Sequence, residues 1–199
     1  WMRHWERVRD IVGRRPDVVR VSALSGLSPP AGPLFDAETH VNPDPTAEQI
    51  AEIAGLAAEQ VRRFGIEPKV ALVSHSNFGS SGAASAKKMR AALALICARF
   101  PDLEVEGEMH ADAALIEPVR ARIFPRSRLR GVANLLIMPS LDAANIAFEL
   151  LKAGADGLPV GPLLLGMNRP VHILNPTVTA RGILNVTALA VREAQERTG

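Results

Sequence analysis

Short apolar runs that end at once in loops, each followed by a stretch of helical periodicity, constrain this chain more than any other feature. Lys69 to Ser74 (KVALVS), Ala133 to Met138 (ANLLIM) and Val160 to Leu165, closed by Gly166, have the length and content of buried strands. Between them the period changes. Thr46 with Gln49 makes a capping box, and Ile50, Ile53, Ala54, Ala57 and Val61 carry a helix to a stop at Gly65. A second helix starts near Ala84 or Ser85 and turns Met89, Leu93, Ile96 and Phe100 inward, and a third contains Asn145, Phe148, Leu150 and Leu151. Strand and helix alternate, which specifies an α/β layer on a mainly parallel sheet, with ligands gathered at the loops that follow the strands.

The remaining segments fit around this frame. Trp1, Trp5, Val8, Ile11 and Val12 share one helical face that ends at Gly13 and needs a cover, either an upstream segment or a second subunit. Val18 to Leu24 reads as a strand, Gly26 to Pro33 as a Pro/Gly loop, and Leu34 to Val41 as a weaker strand ahead of Asn42-Pro43-Asp44-Pro45. Leu103 to Val105 is a short strand, Gly107 to Asp112 its loop, and Ala113 to Ile123 a helix that Pro118 kinks or delays. Asp142 is placed to cap the helix after Met138. The chain opens at Trp1 directly in a helical pattern, which reads as a fragment of a longer polypeptide.

The stretch from Pro159 to Gln195 gathers most of the chemistry. After Val160 to Leu165, a second apolar run, Val171 to Leu174, reads as a strand. Asn175 is then placed to cap a helix with Pro176 at its first position, followed by Thr177, Thr179 and Arg181. Such a start offers N–H groups, hydroxyls and a cation to an anion. The helix beyond is apolar on most of its circumference, so it is expected against a sheet and also against a partner. The loop His75 to Gly82 offers a second small-residue turn of the same kind, matching neither a P-loop nor a GxGxxG fingerprint.

Composition removes several classes. At 199 residues and 47% hydrophobic content the chain can bury a core, as one large domain or two small lobes. A net charge of +2, with basic residues scattered among acidic ones and only 4% aromatics, is a poor footprint for nucleic acid. The apolar runs are too short to span a membrane and no basic-then-apolar leader opens the sequence. One cysteine, Cys97, forbids an internal disulfide and fits a reducing, cytoplasmic compartment. No Ser-His-acid set or metal-ligand spacing is visible around His4, His40, His75, His110 or His172.

Five segments together resemble one family, the phosphate acetyl/butyryltransferases, also called phosphotransacetylases. They are Val41 to Glu48 (VNPDPTAE), Val70 to Ser80 (VALVSHSNFGS), Gly107 to Leu115 (GEMHADAAL), Ala133 to Ile146 (ANLLIMPSLDAANI) and Gly161 to Val171 (GPLLLGMNRPV). The resemblance implies a three-layer α/β/α fold with a mainly parallel sheet, two lobes with a cleft between them, related to the isocitrate/isopropylmalate dehydrogenase-like architecture. It implies a single phosphotransacetylase-like domain over residues 1–199 that lacks its N-terminal part. The second lobe would cover approximately 45–160, and remnants of the first would cover 1–44 and 161–199. Members are usually homodimers.

The family moves an acyl group between phosphate and the thiol of coenzyme A. That needs a base, a donor at the sulfur and a cation at the phosphate. Active members supply these from a segment resembling PVNDLSRGxSxxDI, where this chain has PVHILNPTVTARGI. Asn175 stands at the serine position, Pro176 at the arginine position and Gly182 at the aspartate position. Losing a general base alone costs about 100 to 10,000-fold in rate. These departures, with SNFGS at Ser76 to Ser80 and TARGI at Thr179 to Ile183, resemble the phosphotransacetylase-like domain fused behind the catalytic part of bacterial NADP-dependent malic enzymes.

That branch implies a regulatory domain without acyl transfer that binds acetyl-CoA as effector and shapes a homodimer or higher homo-oligomer. The covalently linked malic enzyme module, using NADP and a divalent metal, would convert malate to pyruvate and CO2, and this domain would hold no cofactor of its own. Ser74, Ser76, Asn77 and Ser80, with Asn175, Thr177, Thr179 and Arg181, are the expected acetyl-CoA or phosphate ligands. No catalytic residue and no metal ligand is expected. Two other functions stay open: an active phosphate acetyltransferase with its base recruited from Glu38 or Asp142, and a scaffold that binds no ligand.

Overall fold

The computed structural model describes residues 2–30, 32–38, 40–155, 157–176 and 178–196. The elements run α1 (Met2–Val12), β1 (Ser22–Ser28), β2 (Leu34–Ala37), α2 (Ala47–Arg63), β3 (Lys69–Val73) and α3 (Ala84–Arg99). They continue with β4 (Glu104–Met109), α4 (Ala111–Leu115), α5 (Glu117–Ile123), β5 (Leu135–Ile137), α6 (Leu141–Gly154), β6 (Leu158–Leu165) and α7 (Ala180–Glu196). The strands form one sheet in the order β4-β3-β5-β2-β1-β6. The pairs β3/β4, β3/β5 and β2/β5 are parallel, and β1 is antiparallel to both its neighbours.

Alternation along the central strands divides the core. Val70 and Leu72 enter a cluster with Ile50, Ile53 and Val61 of α2, Met89 and Ile96 of α3, and Val186 of α7. Ala71 and Val73 face the other way, onto Ala113 and Ala114 of α4 and Ala144 of α6. Helices therefore cover both faces of a mainly parallel sheet, the three-layer arrangement that the alternating pattern requires. The capping box forms as expected: Thr46 Oγ1 accepts from Gln49 N–H, and Gln49 Oε1 accepts from Thr46 N–H. Under α1, Trp5, Val8 and Val12 pack on Val21, Val41 and Met167, whereas Ile11 is 85% exposed and leaves the expected face; Trp1 lies outside the described residues.

Several boundaries differ from the sequence expectation, each for a local reason. The first strand is Ser22–Ser28 and not Val18 to Leu24, so part of the expected Gly26 to Pro33 loop is strand. Ahead of it the chain turns, and the N–H groups of Val19 and Arg20 donate to the Glu52 carboxylate instead of to a strand. The small residues of SALSGLS are strand-competent because two neighbours pair their backbone: Gly26 lies opposite Phe35, whose ring would stand 3.1 Å from any Cβ there. Strand β4 runs on through the expected Gly107 to Asp112 loop as far as Met109. The helix expected over Ala113 to Ile123 is two, with Pro118 in the first turn of the second.

Val171 to Leu174 is not a strand. The Leu164 N–H on the outer edge of β6 donates to His172 Nδ1 at 3.1 Å, so an imidazole occupies a position that a strand's carbonyl would take. Ser140, not Asp142, caps α6, its hydroxyl accepting from Ala143 N–H, while Asp142 is exposed in the first turn.

One buried group strains this core. Asp36, central in β2 and 1% exposed, has no hydrogen-bond partner among the described residues for either carboxylate oxygen, and burial pushes its carboxyl well above the usual carboxylate range. A carboxyl raised on folding makes the native state hold a proton that the unfolded chain releases, so its contribution falls as pH rises above about 4. Asp36→Asn is expected to remove this slope and to be more stable than the parent at pH 8, measured by urea unfolding at pH 4.5 and 8.

Candidate functional site

In an open parallel sheet, ligands collect where successive connections leave in opposite directions. Here that place lies between the carboxyl ends of β3 and β5, because α3 leads outward to β4 and α6 leads across to β6. Lys88 of α3 ties its two sides together, donating to Asp44 Oδ1 at 2.5 Å and to the Pro139 carbonyl at 2.9 Å. Beside it runs the loop that carries Ser74, Ser76, Asn77 and Ser80.

That loop is built around Glu108, which is fully buried at the end of β4. Its Oε1 accepts from Ser76 Oγ at 2.5 Å, from Gly79 N–H at 3.0 Å and from Arg90 Nη1 at 2.8 Å. Burial pushes this carboxyl up, but the Ser76, Gly79 and Arg90 donors outweigh it and hold it below its ordinary value. The other loop side chains serve the same structure. Ser74 Oγ accepts from Ser76 N–H, Ser80 Oγ accepts from Asn77 N–H, and Asn77 Oδ1 accepts from His110 N–H. Of the four expected ligands here, Ser74 and Ser76 are buried and all four side chains are engaged in holding the turn. The N-cap of α3, Ala83, brings no side-chain acceptor to the helix start that follows.

A serine, a histidine and an acid meet in this loop, but they are connected in the wrong order for a relay. Glu108 bonds Ser76 directly, while His75 Nε2 lies 3.2 Å from Ser81 Oγ. No imidazole stands between acid and nucleophile. Glu108 was invisible in the sequence because GEMHAD reads as a turn; two carboxylates, Glu106 and Glu108, between apolar Val105 and Met109 were the available signal.

The second expected group lies elsewhere. Strands β3 and β6 are separated by β5, β2 and β1, which at sheet spacing is roughly 19 Å. Beyond β6, Asn175, Thr179 and Arg181 line a cleft of about 260 Å³ between α6 and α7, together with His40, Phe148, Glu149 and Lys152. Lys152 Nζ pairs with Glu149 Oε2 at 2.5 Å. The sequence reasoning did not select His40, Glu149 or Lys152. Thr177 lies outside the described residues.

The helix start differs from the expected one. Asn175 and Pro176 precede α7 in a turn, and Thr179 is the cap: its hydroxyl accepts from Gly182 N–H at 3.1 Å and its carbonyl from Ile183 N–H. At Gly182 a Cβ would stand 2.7 Å from Val178 Cγ2, so Val178 fills the space into which an acidic side chain at 182 would extend. Pro176 is exposed and carries no charge. Of the two alternative bases, Glu38 is buried with its carboxylate already accepting from Val41 N–H, Asn42 N–H and Asn42 Nδ2. Burial pushes its carboxyl up, and those bonds offset part of that. Among the described residues there is no group of three or more His, Cys, Asp or Glu able to hold a metal, and no helix long and apolar enough to cross a membrane.

A six-stranded, mainly parallel sheet between two helical layers, with a loop folded over its carboxyl edge, defines an α/β protein of the phosphotransacetylase type. The chain belongs to the phosphate acetyl/butaryl transferase family, whose model matches residues 2–191. A solved phosphotransacetylase from Streptococcus pyogenes superimposes with a TM-score of 0.89 at 31% identity, covering 94% of this chain and 57% of that one. The NADP-dependent malic enzyme of Salmonella typhimurium is 52% identical over 193 residues, 96% of this chain and 25% of that protein. The NAD-dependent malic enzyme of Rhizobium meliloti is 52% identical over 194 residues, 98% and 25% respectively. The chain thus spans about a quarter of the length of these curated relatives.

His172 fastens the segment leading to this cleft. Its Nδ1 accepts from Leu164, so the proton sits on Nε2, 3.9 Å from Glu193 Oε2, which in turn accepts from Gln60 through Oε1. That separation is too long for a hydrogen bond, and burial pulls the imidazole from 6.5 down to about 4. With the folded value depressed, the stabilisation is complete above pH 6.5 and is lost as pH falls toward 4, about 3 kcal/mol in all. His172→Asn is expected to abolish that loss, read from urea unfolding at pH 7 and 4.5. Glu108→Ala is expected to cost about 3 kcal/mol, since it strips three donors of their acceptor. Limited proteolysis should then cut first within residues 75–82.

Proposed function

We propose that this chain is a regulatory acetyl-CoA-binding domain of a malic enzyme polypeptide, that it has lost acyl transfer, and that it joins subunits in a homodimer or larger homo-oligomer. The observation that carries this reading is the set of replacements at 175, 176 and 182, with the α6/α7 cleft beside them still open. Asn175, Thr179 and Arg181 would hold phosphate or pantetheine groups there. Thr177, expected with them, belongs to the same proposal. The helix start after Ser80 would offer its N–H groups to a second anionic part of the ligand, with Ser74, Ser76, Asn77 and Ser80 fixing its position.

The higher identity to malic enzymes than to the phosphotransacetylase of known structure supports the regulatory branch. On this reading NADP and a divalent metal serve malate oxidation and decarboxylation in the linked module, and this domain contributes no cofactor. Subunit contact is supported by α7. It was expected to be buried on more than one side, yet Ile183, Leu184 and Val191 are 47%, 68% and 51% exposed. A cytoplasmic location follows from the same reading.

The competing function, an active phosphate acetyltransferase, requires a base, and the environments of Glu38 and Asp142 do not favour it. A coupled assay with acetyl phosphate and coenzyme A is expected to give no turnover above background. Calorimetry should detect saturable acetyl-CoA binding that Arg181→Ala weakens about tenfold or more. In the complete polypeptide, malate or NADP should change acetyl-CoA affinity by the factor with which acetyl-CoA changes theirs. Turnover like that of an active transferase would defeat the proposal, as would the absence of acetyl-CoA binding.

A further inference from the structure

A second concavity, separate from the α6/α7 cleft and sharing no residue with it, lies between α1 and the segment that enters β1. It has a volume of about 480 Å³, and its walls include Trp5, Arg9, Arg14, Arg20 and Asn42. Asn42 follows β2 on the carboxyl side of that strand, so this concavity opens at the sheet edge where ligands collect in α/β folds.

The charges in it are one-sided. Arg9 stacks over the Trp5 ring with Cζ 5.0 Å from the centroid and pairs outward with Asp10 at 2.9 Å. Arg14 places one nitrogen on the Val19 carbonyl, which leaves most of its five donors unused. Arg20 has no side-chain hydrogen bond or ion pair among the described residues. The nearby carboxylates are already committed: Glu52 to the N–H groups of Val19 and Arg20, and Glu38 to Val41 and Asn42. Asn42, 5% exposed, is held in place by bonds from Nδ2 to the Val21 carbonyl and to Glu38. Trp5 Nε1–H, under α1, is closed to solvent and has no acceptor among the described residues. The site therefore combines three guanidinium groups with a polar wall held rigid at Asn42.

We propose that this concavity binds the phosphoryl groups of a nucleotide-sized ligand, with Arg20 as the central cation and Arg9 and Arg14 at its sides. Guanidinium groups match phosphate oxygens in paired geometry, and an anion would compensate Arg14 and Arg20, which have no carboxylate partner among the described residues. The volume exceeds what inorganic phosphate needs and falls in the range of small-molecule pockets. Val19, exposed in the same wall, gives the apolar part of such a ligand a surface.

The test is calorimetry on the complete natural polypeptide with pyrophosphate and ATP as probes and adenosine as the uncharged control, at low salt and at 0.15 M. Saturable binding of pyrophosphate and ATP, weaker at higher salt and absent for adenosine, is the expected result. Arg20→Gln should weaken both about tenfold or more, while Arg181→Ala leaves them unchanged. Acetyl-CoA binding in the α6/α7 cleft should show the opposite dependence, so failure of either site is read separately. An unchanged thermal midpoint would show that Arg20→Gln folds, and Arg20→Lys should restore part of the affinity. The proposal is overturned if wild-type protein does not bind pyrophosphate or ATP at millimolar concentration, if Arg20→Gln binds them as the parent does, or if Arg181→Ala abolishes the same binding.

Discussion

The geometry of the sheet's carboxyl edge depends on one carboxylate that water cannot reach. Glu108 is held ionised in the interior by Ser76, Gly79 and Arg90, and through them it fixes where β4 ends, where the loop after β3 turns and how α3 begins. A buried charge is stable only when its partners converge from several directions. That requirement explains why the loop is rich in hydroxyls and yet uses those of Ser74, Ser76 and Ser80 for its own bonds. The hydroxyls and the amides of residues 76–81 are therefore largely spent on the turn itself.

Much of the fold was legible because apolar runs and capping residues are local signals. KVALVS, the Thr46/Gln49 box and the stop at Gly65 need no tertiary information, and the structure places all three as the sequence suggests. The errors fall where a distant partner decides. Ser22–Ser28 is a strand because β2 and β6 flank it, and its own small residues carry no strand preference. Val171 to Leu174 has strand composition, but its own His172 meets the β6 edge through the ring, accepting from Leu164 N–H in place of a backbone carbonyl. Neither pairing follows from composition alone.

The candidate site was legible in kind more than in arrangement. The loop after β3 and the start of α7 were both identified, but their distance across the sheet was not, nor was the engagement of the loop hydroxyls with Glu108. The cap of α7 was misplaced by four residues because Asn175-Pro176 has the composition of a helix start, while Thr179 makes the bond. Lys152 and His40 enter the cleft from α6 and from the segment after β2, far away in sequence, and only the folded chain brings them to Arg181.

The close packing between Val178 and Gly182 bears on what the start of α7 can accept. A side chain added at 182 would meet the Val178 methyl group at 2.7 Å, so room for it exists only once Val178 turns or shifts. The residue types acceptable at 182 are therefore set by the rotamer of 178, and the two positions are coupled.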